Sequence, residues 1–162
     1  EKLFTKKIRL IAAAATEQLN SCIASVSLKV PQLASGEAET VEMLRWHFLE
    51  EIEHREVIFD LMEESRPGFL LKAFVMQMVL FSFSFWITLG ALVLAMQEGR
   101  ALRSFAFWRE AVGFLFWREG MLTEFARSSL RFVRKGYHPR QDPIPQQEFQ
   151  ALQNHFEKLF PA

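Results

Sequence analysis

The chain has a single cysteine, Cys22, and is poor in glycine and proline, with 7 and 6 among 162 residues. One cysteine excludes an internal disulfide framework and fits a reducing compartment. Lysine plus arginine and aspartate plus glutamate number 19 each, so no net positive charge attracts nucleic acid, and we expect no nucleic-acid partner. The charged, amphipathic N-terminus lacks the cleavage-like site of a signal peptide. The sequence also has no glycine-rich phosphate loop and no G-x-S-x-G elbow.

What the chain does have is long hydrophobic stretches between widely spaced prolines. Half of the residues are hydrophobic, and phenylalanine alone contributes 17. This spacing predicts an all-α protein, with helices over Lys2–Val30 and from about Thr40 to just before Pro67. We expect one helical domain, residues 1–162, made of a helix pair in 1–66, a hydrophobic helix in 67–100 and amphipathic helices in 101–162.

The segment Trp46–Asp60 reads W-H-F-L-E-E-I-E-H-R-E-V-I-F-D and carries four titratable residues on one predicted helix face. At about 100° per residue, these four lie within roughly 100° of arc: His47, Glu50, Glu51 and His54. Met43, Leu44, Ile58 and Leu61 share that face, so we expect it to pack against the core. Burying such groups without partners costs several kcal/mol, and a metal ion commonly offsets that cost. The alternative is a charged, solvated helix face.

The spacing of Glu51 and His54 matches a known di-metal arrangement. Glu-x-x-His is the i, i+3 unit of carboxylate-bridged di-iron and di-manganese bundles, where a Glu from another helix completes the ligands of each metal. Glu17 is the candidate for that Glu, because its predicted helix face is small and apolar and allows close helix approach. An ordinary exposed glutamate is the alternative.

These residues carry a resemblance to a known family. A-T-E-Q-L-N-S at 15–21, followed by R-W-H-F-L-E-E-I-E-H-R-E-V-I-F-D at 45–60, resembles bacterial proteins described as predicted metal-dependent hydrolases. That family is similar to ferritin-like di-metal carboxylate proteins, and G-Y-H-P at 136–139 matches a further element. The resemblance implies a partial ferritin-like helical bundle. It also implies that Glu17, Glu51 and His54 are metal ligands, that His47 and Glu50 occupy the remaining polar positions of the motif, and that His138 lies near a ligand or the substrate.

The chain departs from the family pattern in two places. Family members carry an earlier helix pair with another Glu and another Glu-x-x-His, whereas this sequence has no second Glu-x-x-His. Arg140 and Gln141 stand where the family continues with Trp-Asp. The sequence does not begin with Met, so we expect it to be the C-terminal part of a longer protein. If it were complete, it would hold half of a di-metal site and need a homo-oligomer or a partner chain to finish it.

The third predicted helix contains the longest uncharged run, Ala73–Gln97, which spans 25 residues. About 20 apolar residues suffice to cross a bilayer, so this helix is a transmembrane candidate. The alternative is a helix buried in the core of an oligomer.

Downstream, F-W-R-E occurs twice within Phe105–Phe125, which we interpret as one amphipathic helix at a membrane interface. Five basic residues follow, typical of contact with anionic lipid or of an ordinary helix C-terminus: Arg127, Arg131, Arg134, Lys135 and Arg140. The terminal segment, Gln146–Phe160, is predicted to be a short amphipathic helix packed on the domain.

Three functions fit these features. The first is a membrane-associated di-metal enzyme at the cytoplasmic side of the bacterial inner membrane, with Fe, Mn or another divalent metal. The resemblance implies hydrolysis, but the ligand set is more typical of a di-iron oxidase or oxygenase, and the Phe-rich surround favours a hydrophobic or lipid-like substrate. The second is metal binding without turnover, and the third is a membrane interaction protein without metal.

Overall fold

The computed structural model describes residues 2–29, 37–97, 104–117, 120–142 and 146–159. These residues form six α-helices, a π-helical turn at Gly113–Trp117 that extends α4, and a 3₁₀ turn at Pro139–Gln141. The α-helices are α1 (Lys2–Ser27), α2 (Ala38–Glu64), α3 (Phe69–Gln97), α4 (Phe105–Val112), α5 (Met121–Val133) and α6 (Gln146–Leu159). No strand occurs in the described ranges, and the all-α prediction is confirmed.

The main core lies where α1, α2, α3 and α5 pack together. Its largest fully buried apolar side chains are Phe59, Phe132, Ile11, Leu19, Met62 and Met76. The Phe59 ring meets Phe132 and Tyr137 edge to face, with centroids 5.7 and 5.6 Å apart. On α1, the small side chains of Ala14 and Ala15 are buried in this core together with those of Ile11 and Leu19.

A buried lysine fastens α3 to this core. Lys72 is only 7% exposed, and its Nζ lies 5.1 Å from the Phe59 ring centroid and 5.3 Å from that of Phe132. Its charge is balanced by Glu63 of α2, whose Oε1 accepts a hydrogen bond from Nζ at 2.7 Å. The two aromatic faces and the carboxylate together stabilise the ammonium group.

The buried face of α2 differs from the predicted one. Its buried side chains are Leu49, Ile52, Arg55, Phe59 and Met62. Met43 and Leu61, which share the face of the four titratable residues, are 61% and 46% exposed, whereas Ile58 on the same face packs on the main core, so the prediction holds for only part of this face. The helix is apolar on two sides, and the described neighbours cover only one of them. Glu51 lies at the border between the two sides.

The two halves of α3 have different surroundings. Val75 and Met76 are buried, and Phe83 is the last α3 side chain that packs on the main core. Beyond it, the large apolar side chains are exposed: Phe85, Trp86, Ile87, Leu89, Leu92, Val93, Leu94 and Met96. Among the described helices, α3 is the one long and apolar enough to cross a membrane, judged by length and composition.

The predicted single amphipathic helix over Phe105–Phe125 is interrupted. Gly120 adopts a left-handed backbone with φ of 60°, and α5 begins at the next residue, Met121. Glycine has no Cβ and tolerates this conformation, which breaks the helical run. The first F-W-R-E lies on α4, whereas Arg118 and Glu119 of the second lie outside the described residues.

Three of the five basic residues downstream are already in ion pairs. Arg127 contacts Glu124, Arg131 contacts Asp142 and Arg140 contacts Glu56, each at 2.6 Å. The C-terminal helix α6 packs on α2 as predicted, because Leu152 and Phe156 form a small second core with Leu49.

Candidate metal centre

Two glutamates meet where α1 crosses α2. The carboxyl groups of Glu17 and Glu51 lie within hydrogen-bonding reach of each other. The Oε2 atom of each is buried and has no hydrogen-bond donor. Ionised carboxylates only accept hydrogen bonds, so a hydrogen bond between Glu17 and Glu51 needs a proton on one of them, and a cation would be an alternative way to offset their repulsion.

The environment of Glu17 favours its protonated form when no cation is present. Burial raises the pKa of Glu17, and the hydrogen bond and negative charge of Glu51 raise it further. His54 acts in the opposite direction and lowers it, so the imidazole is close enough to interact with the carboxyl pair. A metal ion would reverse the balance, since it stabilises ionised carboxylates.

The other predicted site residues lie on the solvent side of α2 and pair along the helix. His47 Nε2 is 3.4 Å from Glu51 Oε1, and His54 Nε2 is 3.3 Å from Glu50 Oε2. The two imidazole side chains are 57% and 65% exposed, whereas the Glu51 side chain is 17% exposed. The centre therefore has an inner carboxylate pair and an outer rim of histidines.

The donor set fits a metal ion, although the described side chains do not enclose one. Carboxylate oxygens and imidazole nitrogens are common ligands of Fe, Mn and other divalent ions. The unpartnered Oε2 atoms of Glu17 and Glu51 are the observation that supports this fit. Within the described ranges, no three His, Cys, Asp or Glu side chains converge closely enough to form a complete ligand group. Water, the segments outside these ranges or a second chain would have to supply the remaining ligands.

His138 lies away from the carboxylate pair. Its Nε2 is 2.9 Å from Asp60 Oδ1, and its ring packs against Phe59 at 5.5 Å between centroids. Asp60 is nine residues beyond Glu51 on α2, which corresponds to roughly 13 Å along the helix. The structure thus places His138 against the opposite end of α2 and does not bring it to the glutamates.

Comparison with known families agrees with this donor set. The family model described as "Predicted metal-dependent hydrolase" matches residues 1–142. The chain belongs to this family. Membership implies a metal cofactor but specifies neither Fe nor Mn, and it leaves the ferritin-like similarity a prediction. No curated protein and no solved structure matches the chain.

The described residues also contain a buried polar network that sequence reasoning missed. Gln18 Nε2 donates to Ser128 Oγ at 2.8 Å and to Asp142 Oδ2 at 2.6 Å. Tyr137 donates its hydroxyl to the same Asp142 oxygen at 2.6 Å. These partners are more than 100 residues apart for Gln18, so no local pattern signals them. The hint available in the sequence was that Gln18 directly follows the candidate ligand Glu17.

Proposed function

We propose that the chain is a hydrolase that uses a divalent metal held by Glu17, Glu51 and His54. The observation that supports this is that the interacting side chains of Glu17 and Glu51 each have a buried carboxylate oxygen without a donor. Each proposed ligand on α2 pairs with a polar side chain one helical turn away: Glu51 with His47, and His54 with Glu50. Such outer partners orient ligands, and a paired His Nε2 leaves Nδ1 available to a metal.

The roles of the chain's own residues follow from this arrangement. A divalent metal would polarise a carbonyl or phosphoryl group and lower the pKa of water. Glu17 and Glu51 would hold such a metal at the α1–α2 interface and balance its positive charge. His47 Nε2, beside the Glu51 carboxylate and open to solvent, is placed to carry a proton between the centre and water.

An apolar cleft next to Glu17 in sequence supports a hydrophobic or lipid-like substrate. It lies between α1 and α3, has a volume of about 400 Å³ and is lined by Thr16, Val79, Ser82, Phe83, Trp86 and Ile87. Ligand pockets of roughly 300–1,000 Å³ are typically apolar with a few polar groups, which matches this lining.

A di-iron oxidase or oxygenase is the second candidate function. Carboxylate pairs with imidazole are characteristic of carboxylate-bridged di-iron and di-manganese bundles, and this chain supplies one such pair. An anaerobic Fe(II)-loaded sample distinguishes the two: oxygenation chemistry requires a change in its visible absorption on exposure to air, and hydrolysis does not.

We also propose that the second half of α3 attaches the protein to a membrane. Residues 85–97 are 13 in number and extend about 20 Å at 1.5 Å per residue. That is shorter than the roughly 30 Å hydrocarbon core of a bilayer. One side of the first half of α3 packs on the main core, and its other side exposes large apolar side chains: Phe69, Leu70, Phe74, Met78 and Phe81. Insertion of this exposed half is one mode of attachment, and crossing by the whole of α3, whose most apolar window is 6% buried, is the alternative. The cytoplasmic side of the bacterial inner membrane remains the expected location.

Metal analysis tests the proposed centre. The purified chain is stripped with chelator, reloaded in separate arms with Mn(II), Fe(II) under anaerobic conditions and Zn(II), and assayed for bound metal and for hydrolysis of acyl and phosphoryl nitrophenyl esters. Glu51→Ala and His54→Ala should each lose most of the metal. Glu53→Ala is the matched control, because Glu53 accepts a hydrogen bond from Gln153 of α6 at 3.0 Å instead. Equal metal loss in Glu53→Ala and Glu51→Ala would contradict the proposal.

A further inference from the structure

A buried arginine without a counter-ion stands one helical turn from the carboxylate pair. Arg55 is 3% exposed, and its Nε has no hydrogen-bond acceptor. Its Nη1 donates to Ser21 Oγ at 3.2 Å, and among the described residues no carboxylate lies within ion-pair distance, so that Asp142 and Glu56 act on its charge only from further away. Ser21 lies four residues after Glu17 on α1, and Arg55 lies four residues after Glu51 on α2. A buried charge lacking a partner is unfavourable, so this arginine points to a missing anion.

Arg55 lines a cavity of about 110 Å³ that continues to the exposed Lys29. A water molecule needs roughly 10–15 Å³ of such space, so the cavity has room for a small oxyanion. Ser21 and Ser128 also line it. Their oxygens already accept hydrogen bonds, from Arg55 and Gln18 respectively, which leaves both hydroxyl protons free to donate into the cavity.

The charges around the cavity favour an anion. Three cationic side chains line it, Arg55, Lys29 and Arg131, against two acidic ones, Asp142 and Glu124. Both acids are engaged: Glu124 with Arg127 at 2.6 Å, and Asp142 with Arg131, Gln18 and Tyr137. The Arg131 Nε–Asp142 Oδ1 contact is an ion pair at 2.6 Å, although its alignment falls short of a hydrogen bond.

We propose that this cavity binds a small oxyanion, the carboxylate or phosphate group of an acid. Its link to catalysis rests on the proposed function: hydrolysis of a carboxylic or phosphoric ester by water leaves such an acid and an alcohol. The cavity would then hold the acidic group of substrate or product beside the metal centre. Arg55 supplies the buried charge, the two serines supply donors, and Lys29 guides the anion at the rim.

The test uses the metal-free chain, so that it does not depend on the metal. Inorganic phosphate and acetate are titrated in separate arms, with sodium chloride at matched ionic strength, and the midpoint of thermal unfolding is recorded. We expect a saturable rise with at least one anion, as for any ligand that binds only the folded state. A response to acetate alone would identify a carboxylate site, and a response to phosphate alone a phosphoryl site.

Variants locate the response. Arg55→Met should abolish it and raise the midpoint in chloride, because an apolar side chain then replaces an uncompensated charge. Lys29→Gln should increase the half-saturating concentration several-fold. The matched controls, Arg45→Met on α2 and Lys6→Gln on α1, change exposed residues outside the cavity and should respond like the unsubstituted chain. If Arg55→Met does not fold, Lys29→Gln and Ser25→Ala, which changes another side chain lining the cavity, decide the result: both should weaken the anion response.

Two outcomes would overturn the proposal: no saturable response to either anion, or a response that Arg55→Met and Lys29→Gln leave unchanged. Glu51→Ala separates this site from the metal centre, since it should lose metal and keep the anion response. If the unsubstituted chain binds metal normally but shows no anion response, the oxyanion site is overturned and the proposed metal centre stands.

Discussion

At the scale of single residues, Glu17 is the group of the candidate centre whose ionisation is opposed by its surroundings. Its pKa is raised from 4.5 by burial and by Glu51. A carboxyl whose pKa is higher in the folded state binds its proton more tightly there, so the metal-free protein loses stability as pH rises from about 4.5 through the raised pKa. A bound cation removes this penalty.

The first prediction follows from this loss of stability with rising pH. Glu17→Gln should stabilise the metal-free protein at neutral pH by on the order of 1 kcal/mol, because the amide carries no charge and can donate to Glu51. Below pH 4 the advantage should vanish, since the wild-type carboxyl is then protonated. Denaturant unfolding at pH 4 and pH 7.5 measures both values. Destabilisation by Glu17→Gln at pH 7.5 in the metal-free state would show that the carboxyl pair is not repulsive.

Cys22 provides the second prediction. Burial raises the pKa of its thiol to about 12, with the charge of Glu124 adding to the effect. The thiolate is the reactive form, so the folded chain should react with iodoacetamide at pH 8 on the order of 100-fold more slowly than the urea-unfolded chain. Mass spectrometry of timed samples gives both rates. Equal rates would mean that Cys22 is accessible and ionised in the folded protein.

At the scale of elements, two glycines should respond to alanine in opposite directions. Gly120 has φ of 60°, where an L-residue is strained, and it separates the π-helical turn from α5. Gly90 lies inside α3 with open space around the position of an added Cβ. We expect Gly120→Ala to cost about 1 kcal/mol of unfolding free energy and Gly90→Ala to gain about 0.5–1 kcal/mol. Gly68→Ala is the control, at an open position without positive φ. Equal effects at Gly120 and Gly68 would contradict a left-handed residue at 120.

The exposed half of α3 carries the fourth prediction. Leu94→Asp, at a side chain that is 64% exposed, should release the protein from phosphatidylcholine–phosphatidylglycerol vesicles in a flotation assay, because a charge opposes insertion into hydrocarbon. Leu130→Asp changes a side chain of α5 that is 70% exposed and serves as the control. An unsubstituted chain that stays at the bottom of the gradient, or equal release by both variants, argues against attachment through α3.

At the scale of the whole molecule, the incomplete ligand group directs attention to a second chain. A two-fold axis near the outer face of α2 would bring two copies of the motif together and supply the missing ligands. In a Cys22→Ser background, Val57→Cys should form a disulfide-linked dimer on oxidation, whereas Leu130→Cys, exposed on α5, should not. A monomer at all concentrations in both variants would exclude the symmetric site.

Local sequence information determined much of this protein. Proline spacing and uninterrupted apolar stretches were enough for the helical class and for α1 and α2, since helix formation depends on neighbours a few residues away. The same periodicity placed Glu51 and His54 on adjoining turns and singled out Glu17 among small residues as their partner.

Only the tertiary structure decided which surfaces are buried. The two apolar sides of α2 are equivalent in sequence, and the packing of α1, α5 and α6 chose the side of Phe59 over that of Met43. The same packing left His47 and His54 half exposed, and it buried Arg55 beside Ser21, with Asp142 brought in from 87 residues further along the chain. Burial is a property of long-range contacts, which periodicity along one helix does not contain.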